Sequence, residues 1–113
     1  MRNSIFSGRR PECPLYVGVA STPIADHNLF HLPPNETLLT HGAMTCTCAN
    51  IAPRGEGNAC GDPLSVRPAW GEVGDYHLQA GSPAVDAGTS NGAPTADPEH
   101  RSRDARPEIG AYE

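Results

Sequence analysis

Cys13, Cys46, Cys48 and Cys60 are the residues whose chemistry is easiest to state. An even count without a Cys-x-x-Cys pair points to disulfides in an exported protein, and four cysteines allow three connectivities. Cys46 and Cys48 stand too close to pair comfortably with each other, so each would seek Cys13 or Cys60 if bridged. Free thiols are the second reading. A zinc site with His41 is the third, although Cys-x-Cys is not a usual zinc spacing. His27 and His31 are four apart and could present two ligands on a helix, but Asn28 stands where a metalloprotease needs glutamate. The segment reads as a strand corner, so both histidines are expected at a surface or turn. Asp75, Asp86 and Asp97 recur at equal spacing and could gather calcium through their oxygens. Aspartate is also a common turn residue whose carboxylate bonds local backbone, and that is the expectation here. No other cofactor is expected.

Arg101, Arg103 and Arg106 make a local basic cluster beside Asp104 and Glu108, where surface ion pairs are the ordinary explanation. Gly81-Ser82-Pro83 lacks the G-x-S-x-G frame of a nucleophile elbow. Trp70, Tyr76 and Tyr112 could stack on sugar rings, but three aromatics spread over this length are expected to serve packing instead. No set of residues makes a catalytic assignment, no metal site is assigned, and whether the chain is an enzyme is left open.

The elements that must position these residues are short. Gly and Pro number 12 each in 113 residues, while Leu, Ile, Val and Phe together number 18. So little aliphatic content with a net charge of only −5 fits a thin core of short strands and many turns. The longest stretch free of Gly and Pro, residues 43–52, carries Thr and Cys where a helix favours Leu or Glu. No apolar run approaches the roughly 20 residues of a membrane span, and no signal peptide is visible after Met1. Residues 1–60 balance four Arg against four acids; residues 61–113 carry four Arg and nine acids. An acidic chain without lysine is a poor partner for nucleic acid.

Residues 74–88, GDYHLQAGSPAVDAG, form the block around which the rest is organised. Tyr76, Leu78 and Ala80 alternate with His77 and Gln79, the period of a half-buried strand. Gly81, Ser82 and Pro83 stop it, and a second small apolar piece ends at Gly88. Upstream, Ser4-Ile5-Phe6 and Asn28-Leu29-Phe30 resemble each other, and their separation along the chain falls within the range of stacked repeats. Leu15, Val17 and Val19 alternate, Glu36 to Thr40 could supply a strand, and Ile109 to Glu113 reads as a last small strand.

NSIF, DHNLF, GDPLSVRPAW, DYHLQAGSPAVDAGT and RPEIGAYE closely resemble the C-terminal part of bacterial right-handed parallel β-helix proteins. The nearest likeness is to the choice-of-anchor Q group within the pectate-lyase-like superfamily. It is strong over residues 61–113 and looser over residues 3–32. The resemblance implies an all-β parallel solenoid of few coils. Residues 1–32 would give coil strands, 33–60 a loop insertion with the cysteines, 61–88 the last coil and 89–113 a C-terminal cap. In that pattern Asp62, Pro63 and Leu64 lead into the last coil, which holds Tyr76 and Leu78. Gly81, Ser82, Pro83, Asp86 and Gly88 make its turn, and Ile109, Gly110 and Tyr112 close the end. Ser65, Glu108 and the Glu99-His100 pair depart from it. Further coils are expected upstream in a longer protein, because the N-terminal side lacks a cap. The implied function is the terminal part of an exported or surface-attached bacterial protein, structural or carbohydrate-associated rather than catalytic, with polysaccharide as partner. The alternative is the tail of a polysaccharide lyase or glycoside hydrolase whose active coils lie upstream.

Overall fold

The computed structural model describes residues 2–7, 15–17, 25–32, 37–41, 43–51, 55–69 and 73–113. Eight strands of two to four residues, and no helix, lie among the described residues. They are β1 (Ile5–Ser7), β2 (Leu15–Val17), β3 (Leu29–His31), β4 (Leu39–His41), β5 (Met44–Cys46), β6 (Ala59–Cys60), β7 (Ser65–Arg67) and β8 (Asp75–Leu78).

β3 is the centre. It pairs in parallel with β1, setting Ile5 against Leu29 and Phe6 against Phe30, so the two similar pieces of sequence lie side by side in matching register. Its other edge pairs in parallel with β6, Leu29 beside Ala59. Successive side chains on a strand point to opposite faces, so Leu29 and Phe30 enter separate cores. Leu29 packs with Ala84 and Ile109, and Ile5, Ala59, Leu78 and Ala87 flank that cluster. Phe30 packs with Leu38, Cys46 and Ile51, flanked by Phe6 and Leu32. The Phe6 and Phe30 rings stack at 5.2 Å, as register partners on one face should. Burying each of the two β3 side chains stabilises the fold by about 1.5–3 kcal/mol.

The turns beside this ladder are satisfied by asparagine. Asn28 is fully buried. Its Oδ1 accepts the Ser4 amide at 3.1 Å, and its Nδ2 donates to Asn58 Oδ1 at 3.1 Å. Asn58 Oδ1 also accepts the Asn28 amide, and Asn58 Nδ2 donates to the carbonyls of Ala25 and Gly55. Buried polar groups are tolerated only when paired in this way.

A second sheet joins β2, β4 and β5. β2 and β4 are parallel, with the same offset along the chain as β1 and β3, whereas β5 folds back antiparallel on β4. The third is the antiparallel hairpin β7–β8.

This hairpin corrects the expected fold class. The described residues show no solenoid or β-helix: the block 61–88, expected as a last parallel coil, is a local hairpin with seven residues between its strands. Alternation reports burial, not strand direction, and a nearby antiparallel partner closes a short loop at small entropic cost. The alternation itself is broken. Ser65 faces Leu78 and Arg67 faces Asp75, leaving Tyr76 and His77 together opposite Val66 in a bulge. Tyr76 is 48% exposed rather than sharing a buried face with Leu78. The segment 33–60, expected as a loop insertion, contributes β4, β5 and β6. Ile109 to Glu113 forms bends and no strand.

The turn after β8 is built as a knot of backbone contacts. Asp62 Oδ1 accepts the Leu64 amide, and the buried Ser82 hydroxyl donates to the Pro63 carbonyl at 2.6 Å while accepting the Ala84 amide. Gly81 has φ 88° and Asp86 φ 53°, with Pro83 exposed between them. Gly88 lies so close to the chain that a Cβ would stand 2.6 Å from the Pro107 carbonyl, which accepts the Gly88 amide. The C-terminal residues then return to the ladder: the Ile109 amide donates to Ala84 and the Gly110 amide to Asn3.

Candidate functional site

The hairpin, the N-terminal strand and the C-terminal segment together border a groove of about 580 Å³. The hairpin region supplies Pro63, Ser65, Pro68, Ala69 and Tyr76; the N-terminus supplies Asn3, Ser4, Ile5 and Ser7; the C-terminal segment supplies Gly110 and Ala111. None of these lining residues is charged. The Tyr76 hydroxyl donates to the Ala69 carbonyl at 2.7 Å, which fixes the ring while leaving it half exposed. A fixed aromatic ring among hydroxyls and amides is a surface on which a polyhydroxylated ring can stack and hydrogen-bond. A second hollow, of about 410 Å³, shares Asn3, Gly110 and Ala111 and is bordered by Arg2 and Arg103. Both arginines are already paired, Arg2 with Asp26 at 2.7 Å and Arg103 with Glu113 at 3.1 Å.

Beside the groove stands a cluster that sequence reasoning missed. His77 Nδ1 lies 2.6 Å from Asp75 Oδ1, and its Nε2 lies 3.0 Å from Glu99 Oε2. The imidazole stacks on the Tyr112 ring at 4.1 Å, and Arg101 sits 3.4 Å from Glu99. Hydrogen bonds to Asp75 and then Glu99, with their charges, raise the His77 pKa above its ordinary value against the opposing effect of burial. The same bond to His77, its backbone amide and charge, and Arg67 hold the Asp75 carboxyl below the usual range, against burial. With both ring nitrogens facing carboxylates, His77 has no free lone pair with which to act as a base toward a ligand. Its role is to fasten β8 to the C-terminal segment. The legible signal was an Asp-x-His on one strand; the contribution of Glu99, from a distant part of the chain, was not.

A second set of contacts holds the same C-terminal segment. Arg103 is 7% exposed in its side chain and donates to the Gly110 and Ala111 carbonyls as well as to Glu113. Asp97, also buried, accepts the amides of Glu99, Arg101 and Glu113. Burial works to raise its pKa, but those backbone donors and the Arg101 charge outweigh it and hold the group below the ordinary value. Burial, then the hydrogen-bonded Glu113 and the charge of Asp86, push Glu108 upward.

The other candidates disperse. Arg103 pairs with Glu113 through a largely covered side chain rather than on the open surface, Arg101 meets Glu99, and Arg106 donates to the Asp86 carbonyl. Asp75, Asp86 and Asp97 occupy separate settings, and among the described residues no group of three or more His, Cys, Asp or Glu is placed to hold a metal ion. His31 Nδ1 meets Ser7 Oγ at 3.2 Å, while His27, at φ 52°, donates its amide to Glu56. Cys48 and Cys60 are joined in a disulfide, Cα atoms 6.1 Å apart. Cys46 is a free thiol buried in the Phe30 cluster. Cys13 and Trp70 lie outside the described residues. Among the described residues no helix is long and apolar enough to cross a membrane.

No family model, curated protein or solved structure matches this chain. What the described residues offer is a scaffold of short strands with an uncharged groove lining and a charged fastening beside it.

Proposed function

We propose that this chain is a non-catalytic, carbohydrate-associated module of an exported or surface-attached protein, and that its groove takes an uncharged polysaccharide. The observation that carries the reading is the groove itself: Tyr76 is fixed but half exposed, and no charged side chain is among the described lining residues. Uronic acid chains need cations to offset their carboxylates, and the two arginines of the neighbouring hollow are paired with Asp26 and Glu113. The Cys48–Cys60 bridge supports an oxidising compartment. The resemblance of GDPLSVRPAW and DYHLQAGSPAVDAGT to choice-of-anchor Q sequences supports a surface-attached, carbohydrate-associated setting.

Affinity electrophoresis through gels cast with hydroxyethylcellulose, dextran or polygalacturonate tests this reading. The chain is expected to be retarded by at least one of the neutral polymers and not by polygalacturonate. Tyr76→Ala is expected to weaken retention about five- to tenfold, the worth of one aromatic contact. Free migration in both neutral gels, or equal retention of Tyr76→Ala, would sink the proposal.

A further inference from the structure

Tyr76 and Ala111 both line the groove, and the residues next to them in sequence, His77 and Tyr112, stack on each other. The two borders are therefore tied at positions immediately adjacent to the lining. Glu99 Oε2 takes the far side of the imidazole at 3.0 Å, bringing the loop after Asp97 into the same tie. We propose that the Asp75–His77–Glu99 cluster, stacked on Tyr112, is a proton-operated tie across the groove, closed while the imidazole carries both protons and loosened when one leaves. The regulatory half of this inference rests on the glycan reading of the groove; the tie itself does not.

The chemistry follows from the ring's two nitrogens. An imidazolium donates to both carboxylates. A neutral ring keeps one proton, so one nitrogen lone pair must face a carboxylate oxygen, and that contact turns repulsive. The groups facing the ring are Asp75 on its own strand, Glu99 and Tyr112 from the C-terminal segment, Arg101 behind Glu99, and Arg67, the register partner of Asp75 on β7. The arginines keep their charge across the whole range. His77 is raised above its ordinary 6.5, so its contribution to the closed state is complete below that pH and is lost as pH climbs through the higher folded value. Asp75 is lowered from 3.8, so its contribution is complete above that pH and is lost as pH falls through the lower folded value. Closure is thus greatest between the two. Arg103 continues to hold Gly110 and Ala111 when the tie loosens, so the segment shifts at Tyr112 without detaching.

The test follows the ring-to-ring nuclear Overhauser contact between His77 and Tyr112 from about pH 5.5 to about pH 9, across the imidazole range. The His77 ring signals and retention in hydroxyethylcellulose and dextran gels are measured on the same samples. The contact and the retention are both expected to fall about three- to fivefold with the midpoint of the His77 titration, the scale of an exposed charged pair. Glu99→Gln is expected to lower the midpoint and shrink both changes, while the Phe6–Phe30 contact, unchanged, shows that the variant is folded. A His77 ring that titrates while its contact with Tyr112 stays constant overturns the tie. A contact that falls while retention holds steady overturns the regulation. Absence of retention at every pH refutes the glycan reading, and the His77–Tyr112 contact then decides the tie alone.

Discussion

Around β3 the chain is held mainly by groups without charge, the Arg2–Asp26 pair being the exception: Leu29 and Phe30 in two apolar clusters, and Asn28 and Asn58 satisfying the turns with neutral amides. Around β8 it is held largely by charge: His77 between two carboxylates, Arg103 against Glu113, and Asp97 accepting three amides. The ladder joins segments distant along the chain, whereas the hairpin joins neighbours and is finished by a returning C-terminal segment. The difference assigns stability and responsiveness to different places. Apolar burial and amide pairing do not titrate in the neutral range, so pH and salt act on the groove side while the ladder stays put.

Truncating the ladder should have the largest effect. Phe30→Ala removes the centre of one cluster and the partner of the Phe6 ring, and is expected to cost about 3–5 kcal/mol in denaturant unfolding. Reducing the Cys48–Cys60 bridge, whose cysteines are separated by 12 in sequence, should cost about 2–3 kcal/mol, read as a lower melting temperature in reductant. Asn28→Ala strands the Ser4 amide and Asn58 and should cost about 1–3 kcal/mol, with no dependence on pH between about 5 and 9. An Asn28→Ala loss that grew with pH would break the division between the regions. The smallest effect is a gain. Glu108 is pushed upward by burial and by its acidic neighbours, so its ionised form is disfavoured in the folded state. Glu108→Gln should therefore stabilise the chain at pH 7 by about 0.5 kcal/mol, and the gain should vanish as pH falls through the raised value.

The ladder was the legible region. The likeness of Ser4-Ile5-Phe6 to Asn28-Leu29-Phe30 is a statement about identity and distance along the chain, and parallel register is its direct spatial consequence. The hairpin was not legible as such. Tyr76, Leu78 and Ala80 alternate as expected of a strand, but alternation carries no information on partner direction, and the bulge opposite Val66 turned Tyr76 outward. The turn at Gly81, Ser82 and Gly88 was marked by its residues, because φ near 88° and a 2.6 Å approach to a carbonyl are conditions that glycine meets. The His77 cluster escaped because its members are far apart in sequence: Asp75 is local, but Glu99 and Tyr112 arrive only through the fold of residues 89–113. Cysteine pairing escaped for the same reason. Cys48 rather than Cys46 meets Cys60, and nothing in a Cys-x-Cys spacing says which of the two faces the core.

The most direct test of this division is amide hydrogen exchange followed residue by residue at about pH 5.5 and about pH 8.5, corrected for the intrinsic rate. The Leu29, Ala59 and Gly61 amides, which donate to Ser4, Asn28 and Phe30, should keep the same protection at both values. The Glu113 amide, which donates to Asp97 one residue beyond the His77–Tyr112 stack, should lose about three- to fivefold at the higher pH. Equal loss at Leu29 and Glu113, or no loss at Glu113, would contradict the account.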